Sequence, residues 1–336
     1  MSGKPLIGLL STNLEPVPFY NCCIDMPVVI CKFKPGGIDW ANERIKAIVL
    51  LNNEWKKAVV RFPDAIYNRC YSNFAKVTGQ LEKAVGSGKV FNIISLFDKL
   101  IIYNILKDSS LSKLVIPTYR YRADLMLSLL KSEGTVLIKP AKGSLASGVY
   151  KIEAEGGEYK AYLRTVLSSK AFNNSSALMG YIEGITKSRD YVIQPYINFA
   201  RLNGHIFDIR MLVQKNIWGQ WDVTAYISRV GYKSSFVSNH VYSLKPVEDV
   251  LSGVGFDDSL VSVLKKVSIN AARILESKLC HLGEISVDFG IGADGRLWII
   301  EINGKPDKEI FCSCSSDILD RVYRTPVEYA LYLARH

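Results

Sequence analysis

The chain has 336 residues, of which 48% are hydrophobic, 11% aromatic and 22% charged. This is the composition of an ordinary globular protein, and it excludes wholesale disorder, a collagen-like chain and a low-complexity chain. At roughly 150 residues per domain, the length predicts about two or three domains. Lys and Arg number 42 against 32 Asp and Glu, a net charge of +10. This basic balance indicates an anionic partner, such as a phosphate compound, a nucleic acid or an acidic surface.

The cysteines and histidines do not form a metal-binding pattern. Seven cysteines are scattered without a CxxC pair, and there are four histidines, so free thiols in a reducing compartment are the simpler interpretation. The N-terminal apolar stretch is broken by Gly8 and is too short for the core of a signal peptide. Asp98 and Lys99 interrupt the most hydrophobic region, 91–106, which predicts no transmembrane span. We therefore expect a cytoplasmic protein that does not enter a membrane.

The order of apolar runs and turn residues predicts a mixed α and β protein. The first 92 residues alternate short apolar runs, beginning with 6–10, with Gly and Pro breaks, which is typical of a small α/β unit. The later predicted elements are a helix over 96–106, strands over 135–140, 149–152, 191–197, 207–213 and 221–230, a helix over 259–279, strands over 285–291 and 297–302, and a helix over 326–334 with Pro326 near its first turn.

Residues 283–303 predict a β-hairpin rather than a dinucleotide-binding loop. The segment contains GxGxxG at Gly290, Gly292 and Gly295. A dinucleotide-binding loop requires a helix after these glycines, and the sequence continues instead as a strand. The dipeptide Asp294-Gly295 between two apolar runs predicts a two-residue turn.

That turn fixes a register in which acidic side chains face each other. Asp288 lies opposite Glu301 and Ser286 opposite Asn303, while the other face is apolar and includes Ile300. Opposed carboxylates repel each other and need a compensating cation, and oxygen ligands without His or Cys suit Mg²⁺. A polar strand face exposed to solvent, with the two acids opposed by accident, is the alternative.

A loop of small residues follows the predicted strand that ends in Lys139-Pro140. Residues 143–148 offer backbone amides and hydroxyls that can surround a phosphate. A Walker A loop is excluded because Val149-Tyr150 stand where Lys and Ser or Thr are needed. Lys139 and Lys99 interrupt apolar elements, where a buried amine needs an anionic partner. A plain hairpin turn and lysines that reach solvent are the alternatives.

In this order the segments resemble the ATP-grasp superfamily, and within it the YheC/YheD group of endospore coat-associated proteins. The segments that carry the resemblance are Asp98-Lys99, 136–140, 143–148, 192–197, Phe207-Asp-Ile-Arg210, and Asp288 with Glu301-Ile-Asn303. The resemblance covers roughly residues 93–310. It implies an ATP-grasp fold, of α+β and α/β class, in which two α+β subdomains clasp ATP behind an N-terminal α/β domain. The expected divisions are 1–92 for the N-terminal domain, 93–190 for the subdomain with the phosphate-binding lysines, and 191–336 for the subdomain with the adenine strand and the metal hairpin.

The resemblance also implies roles for individual residues. The residues expected to bind ATP are Lys99, Lys139, Gly143, Ser144, Ser147, Gly148, Gln194, Tyr196 and Ile197. Those expected to bind Mg²⁺ are Asp288, Glu301 and Asn303, and those expected to act in catalysis are Arg210 and Arg229. One departure is Pro195, since many relatives carry an acidic residue there.

The function that the resemblance implies is ATP-dependent ligation. A carboxylate attacks the γ-phosphate to give an acyl phosphate and ADP, and an amine or thiol then displaces phosphate. The substrates, small molecules or peptides, are not identified. The alternatives are a structural or ATP-binding component of the spore coat without ligase turnover, and a small-molecule kinase. Nucleic acid is not an expected partner, because aromatic and basic residues do not interleave as they do in single-strand binders.

Overall fold

The structure is a computed structural model that describes residues 3–71, 74–143, 147–167 and 169–336. In this part of the chain, three six-stranded sheets follow one another in sequence. Short 3₁₀ helices lie at Pro18–Cys23, Ser112–Leu114 and Glu309–Ser313. Within the described residues, no helix is both long and apolar enough to cross a membrane.

The first sheet comes from the N-terminal residues. Its strands are β1 Leu6–Leu10, β2 Val29–Asp39, β3 Arg44–Leu51, β4 Glu54–Arg61, β5 Ala65–Asn68 and β6 Val90–Phe91, and helix α1 is Ala75–Val85. The strand order is β4-β3-β2-β1-β5-β6. β1 is parallel to both β2 and β5, so Ser11 and Arg69 follow these strands at the same end of the sheet, where the carboxyl ends of the parallel strands lie. Lys32 is opposite Leu9 near that end. Ligands of open α/β sheets bind beyond the carboxyl ends of the strands.

Helix α2, Lys99–Lys107, begins later than the predicted start at residue 96. Asp98 is its N-cap, and the Asp98 carboxylate accepts hydrogen bonds from the backbone N–H groups of Leu100 and Ile101. A side chain that satisfies these otherwise unpaired donors ends the preceding extended segment at residue 98. Lys99 is therefore the first residue of the helix rather than an interruption within it.

The second sheet is antiparallel and carries two helices on one face. Its strands are β7 Tyr119–Arg120, β8 Thr135–Pro140, β9 Tyr150–Glu155, β10 Glu158–Leu163, β11 Ser169–Phe172 and β12 Tyr191–Pro195, and its helices are α3 Ala123–Glu133 and α4 Ser175–Thr186. The order is β11-β10-β9-β8-β12-β7. Val136 and Ile138 pack with both helices in one core. Strand alternation therefore directs Leu137 and Lys139 to the opposite face.

The third sheet is also antiparallel. Its strands are β13 Arg201–Leu202, β14 His205–Lys215, β15 Trp221–Gly231, β16 Val241–Lys245, β17 Glu284–Ile291 and β18 Leu297–Asn303, and the helices that follow or interrupt them are α5 Val247–Gly253, α6 Ser259–Lys278 and α7 Ser316–Arg335. The order is β16-β15-β14-β17-β18, and β13 pairs with β14. Helices α2 and α6 share one core with the third sheet. Helix α7 packs in another core between the third and first sheets.

Pro326 lies in the interior of α7, so the prediction that it stands near the first turn is wrong. A proline has no N–H to donate to the carbonyl four residues earlier, which here is that of Val322. The side-chain amide of Gln214 on β14 donates to this carbonyl at 3.0 Å. A side chain from the third sheet therefore replaces the missing helix hydrogen bond, which sequence periodicity does not reveal.

Candidate active site

The β17–β18 hairpin has the predicted register at its carboxylates, although the predicted two-residue turn is wrong. The Gly292 N–H donates to the Arg296 carbonyl at 2.8 Å, which leaves three residues in the loop, and Gly295 has a φ of +82°. The ladder then shifts by one residue at a bulge, so that Phe289 pairs with Ile299. The longer loop and the bulge offset each other, and Asp288 faces Glu301 as predicted.

The bulge changes which isoleucine of β18 faces the core. Ile299 is buried in the core with α6, whereas Ile300 is half-buried and lines a cleft between the second and third sheets. The expectation that Ile300 belongs to the apolar core face of the hairpin is therefore wrong. An extra residue in one strand reverses the facing of the residues beside it.

Two arginines and two aspartates form a buried network on one face of the third sheet. The guanidinium of Arg210 donates two hydrogen bonds of 2.8 Å to Asp288, its cross-strand neighbour on β17. Arg229 binds Asp208, its neighbour across β14 and β15, at 2.8 and 2.5 Å, and reaches Asp288 at 2.9 Å. Asp208 and Arg210 are two residues apart on β14 and therefore point to the same face. The hydroxyl of Ser238 also donates to Asp208.

The network stabilises the charged forms of Asp288 and Arg229. Burial acts to raise the pKa of Asp288, but the guanidinium groups of Arg210 and Arg229 outweigh it and hold the pKa below its ordinary value. Burial likewise acts to lower the pKa of Arg229, and the carboxylates of Asp208 and Asp288 raise it instead. The two guanidinium groups and the two carboxylates, joined by hydrogen bonds, form a rigid arrangement at the wall of the cleft.

The two predicted lysines approach Glu301 from the other side of the cleft. The Lys99 amine lies 3.0 Å from a carboxylate oxygen of Glu301 and donates to the Gly143 carbonyl at 3.3 Å. Lys139 is buried, and burial lowers the pKa of its amine to about 8, with Glu301 opposing the shift and Lys99 adding to it. Among the described residues, the Lys139 amine has no hydrogen-bond partner. A buried amine without a hydrogen-bond partner favours an anionic ligand.

Two adjoining pockets of about 80 and 40 Å³ form the cleft. They share Lys99, Lys139, Ile300 and Glu301. The larger continues to Asp288 and Arg229, while the smaller is mainly apolar, and Gln194 on its wall donates to the Thr118 hydroxyl at 2.6 Å. Asp288 and Arg229 therefore lie at one end of the cleft and a mainly apolar pocket at the other, with Lys99, Lys139 and Glu301 where the two pockets meet.

The structure brings most of the predicted site residues to this cleft. Those that line it are Lys99, Lys139, Gly143, Ser147, Gln194, Arg229, Asp288 and Glu301. Arg210 and Asn303 line a neighbouring cavity. Ser144 lies outside the described residues.

Three further predicted residues line neither the cleft nor the neighbouring cavity. The amine of Lys151 sits 4.6 Å from the centre of the Tyr196 ring. Neither Tyr196 nor Ile197, which are both half-buried, lines the two pockets. Gly148 has a φ of +74°. This left-handed backbone conformation favours glycine over residues with a side chain.

Other residues of the site carried no predicted role. Asp208 stood within the Phe-Asp-Ile-Arg segment, and its spacing of two from Arg210 was the signal that both share a face. Ser238 and Phe236 come from the segment between β15 and β16 and reach the cleft without any motif. Thr118 becomes a neighbour of Gln194 only because β7 pairs with β12.

Residues 87–333 match the family of YheC/D like ATP-grasp proteins. The chain belongs to this family. It is 25% identical over 322 residues to the endospore coat-associated protein YheD of Bacillus subtilis (strain 168), a match that covers 90% of this chain and 70% of YheD. It is 26% identical over 324 residues to the endospore coat-associated protein YheC of the same organism, covering 90% of this chain and 87% of YheC.

The ATP-grasp fold extends over nearly the whole chain. The VanG D-Ala:D-Ser ligase of Enterococcus faecalis superimposes with a TM-score of 0.59 at 12% identity, covering 98% of this chain and 100% of the ligase. The predicted ATP-grasp fold is confirmed, and so is the YheC/YheD resemblance.

The hairpin of this ATP-grasp cleft has a donor set that fits Mg²⁺. Within the described residues, no group of three or more His, Cys, Asp or Glu converges, so the candidate ligands are the carboxylates of Asp288 and Glu301 and the amide oxygen of Asn303. The Oδ1 atom of Asp288 accepts a single hydrogen bond, from Arg210. The ion pair of Glu301 with Lys99 is made by Oε1, which leaves Oε2 for a metal ion. Asn303 turns its amide nitrogen to Asp288 at 3.4 Å. Oxygen-only ligands with open positions suit Mg²⁺, which keeps several waters or phosphate oxygens.

Proposed function

We propose that the protein is an ATP-dependent carboxylate–amine ligase that works through an acyl phosphate and releases ADP and phosphate. The observation that carries this proposal is the convergence of Lys99, Lys139 and Arg229 with Asp288 and Glu301 at one cleft that ends in an apolar pocket. Phosphates need the cations, a hard metal ion needs the carboxylates, and a purine needs the apolar pocket. The ATP-grasp fold and the ligase name of the structural neighbour support the same function.

The two ends of the cleft bind different parts of the nucleotide. The mainly apolar pocket beside Gln194 takes the adenine, and Lys139 and Lys99 bind the phosphates. Gly143 and Ser147 line the same cleft, and their backbone N–H groups add donors to the phosphates. The backbone groups of Tyr196 and Ile197 contact the edge of the adenine in this proposal.

The reaction joins an acid to an amine in two transfers. An oxygen of the substrate carboxylate forms a bond to the γ-phosphorus, and the bond from that phosphorus to the β–γ bridging oxygen breaks, which gives ADP. The amine nitrogen then attacks the acyl carbon, phosphate leaves with the electron pair of the carbon–oxygen bond, and the nitrogen loses a proton to solvent. Arg210 and Arg229 stabilise the negative charge of the transferring group. Mg²⁺ held by Asp288, Glu301 and Asn303 would neutralise phosphate charge.

The products of ATP turnover test the proposal. We expect purified protein with Mg²⁺, ATP and a pool of metabolites or peptides to release ADP and phosphate and to form a product of condensation mass. Asp288→Asn combined with Glu301→Gln should weaken Mg·ATP binding at least tenfold, whereas Asp294→Asn, in the exposed loop of the same hairpin, should not. Release of AMP and pyrophosphate would contradict the acyl-phosphate route. Unchanged Mg·ATP affinity in the double variant would contradict the metal assignment.

A coat-associated protein that binds ATP without ligase turnover is the second candidate. The names of YheC and YheD, which both associate those proteins with the endospore coat, favour it. Spore association of this chain is proposed on the same ground. Tight Mg·ATP binding, together with no acid-dependent ADP release from any pool, would support this candidate over the ligase.

A further inference from the structure

A chain of cavities continues from the cleft to the first sheet. A cavity of about 420 Å³ begins at Arg229 and Glu301, includes Arg210, and ends at Arg69. A second cavity, of about 140 Å³, starts at Arg69 and reaches the edge of the first sheet where β1 and β5 end. A molecule in these two cavities would have one end beside the arginines of the cleft and the other end in the N-terminal segment.

Lys32 lines the smaller cavity and lacks an anionic partner. Its side chain is only 6% exposed. The amine donates to the side-chain oxygen of Asn13 at 2.8 Å and to the backbone carbonyl of Glu15 at 2.6 Å, and both acceptors are neutral. Among the described residues, no carboxylate oxygen lies within 4 Å of it. Burial lowers the pKa of Lys32, which Glu15 opposes.

Two more cations, the buried Lys308 and the half-buried Arg69, line the same cavity and share one carboxylate. Lys308, 1% exposed, lies 2.8 Å from one oxygen of Glu284, and Arg69 lies 2.8 Å from the other. The cavity is therefore lined by Lys32, Arg69 and Lys308, against a single buried carboxylate. The two acids at the cavity rim, Asp307 and Glu309, are both exposed to water.

An excess of buried positive charge is costly unless an anion compensates it. The cavity adjoins the larger one, since Arg69, Asp307 and Glu309 line both. Hydroxyl groups of Ser11, Tyr20 and Tyr323 stand on its walls, and hydroxyls donate well to carboxylate or phosphate oxygens. The site therefore has the charge and the donors that an anionic group requires.

We propose that the cavity formed by Lys32, Arg69 and Lys308 binds a carboxylate or phosphate group of the acid substrate, at the end remote from the carboxylate that reacts. The substrate is thus an acid with a second anionic group. Its identification as the substrate rests on the proposed ligase function, whereas anion binding at Lys32 does not.

Calorimetric titration with two simple probes, inorganic phosphate and glutarate, tests the site without ATP. We expect at least one probe to bind in low-salt chloride buffer, and Lys32→Met to weaken it at least tenfold. Lys32→Arg, which keeps the charge, should retain binding. Lys34→Met is the matched control because Lys34 is exposed on the same strand. A response to phosphate alone identifies a phosphate group, and a response to glutarate alone identifies a second carboxylate.

The variants also separate this site from the nucleotide cleft. Lys139→Met should leave probe binding intact, and Lys32→Met should leave Mg·ATP affinity intact. Absence of probe binding in the wild type overturns the inference, as does loss of binding in Lys139→Met with retention in Lys32→Met. Failure of the wild type to bind Mg·ATP, with the response at Lys32 preserved, removes the ligase function and leaves the anion site standing.

Discussion

The charge of Lys139 makes the proposed nucleotide cleft sensitive to pH. Its amine is buried between Glu301 and Lys99, and burial lowers its pKa to about 8. A phosphate group beside the amine favours the protonated form and raises this pKa again. Nucleotide binding must therefore be accompanied by proton uptake in the pH range where free Lys139 is partly neutral.

We predict that nucleotide affinity falls as pH rises above about 8. Near that pH, binding should take up about half a proton per nucleotide, and close to none at pH 6, where Lys139 is already protonated. Calorimetry in two buffers of different ionisation enthalpy measures this uptake. Lys139→Met should abolish it, whereas Lys142→Met, at an exposed lysine of the following loop, should preserve it. Equal uptake in wild type and Lys139→Met would assign the proton to another group.

At the scale of the element, the β17–β18 hairpin separates a core face from a site face through its bulge. Ile299 packs in the core and Ile300 lines both pockets of the cleft. These adjacent residues have the same side chain, so they form a matched pair in which only the environment differs.

We predict that one alanine substitution mainly lowers stability and the other mainly weakens nucleotide binding. Ile299→Ala should lower the free energy of unfolding by about 2–5 kcal/mol, because it leaves a cavity in a packed core. Ile300→Ala should lower it far less but should weaken nucleotide binding by about threefold to tenfold, because apolar surface against the ligand is lost. Chemical denaturation and nucleotide titration measure both quantities. Comparable destabilisation by the two variants would show that both residues belong to the core.

The same hairpin shows how far the sequence predicts the site. The facing of Asp288 and Glu301 followed from alternation and from a turn near the correct place. The three-residue loop and the bulge were not predictable, because each shifts the register by one and together they leave the carboxylate pairing unchanged. Strands such as 135–140 were predicted correctly for the same reason, that alternation or a short apolar run is a local signal.

Contacts between elements distant in sequence were not predictable. The partners of Asp288 depend on β14 lying between β15 and β17, an order that no local pattern specifies. Gln214, which compensates for Pro326 in α7, is likewise placed by the packing of α7 on the third sheet. The sequence therefore predicted most of the charged side chains at the site, although not Asp208, and the strand order decided which of them pair.

At the scale of the whole molecule, one buried carboxylate connects three parts of the chain. Glu284 on β17 accepts hydrogen bonds from Arg69 at the edge of the first sheet and from Gln214 on β14 at 2.5 Å. It also pairs with Lys308, which precedes α7, and accepts from the hydroxyl of Tyr67. Burial acts to raise the pKa of Glu284, but the cations Lys308 and Arg69 outweigh it and lower the pKa. Glu284 is therefore ionised, and the first and third sheets depend on the same charge.

We predict that Glu284→Gln destabilises the whole chain rather than one sheet. The variant leaves the buried Lys308 and the half-buried Arg69 without a carboxylate, and loss of one partner of a buried ion pair costs about 3–5 kcal/mol. Thermal unfolding followed by circular dichroism should show a markedly lower Tm, while Glu133→Gln, at an exposed position of α3, should leave Tm unchanged. Because two cations then lack a counter-charge, added phosphate should recover more Tm in Glu284→Gln than in the wild type. A Tm close to that of the wild type would show that the network does not hold the two sheets together.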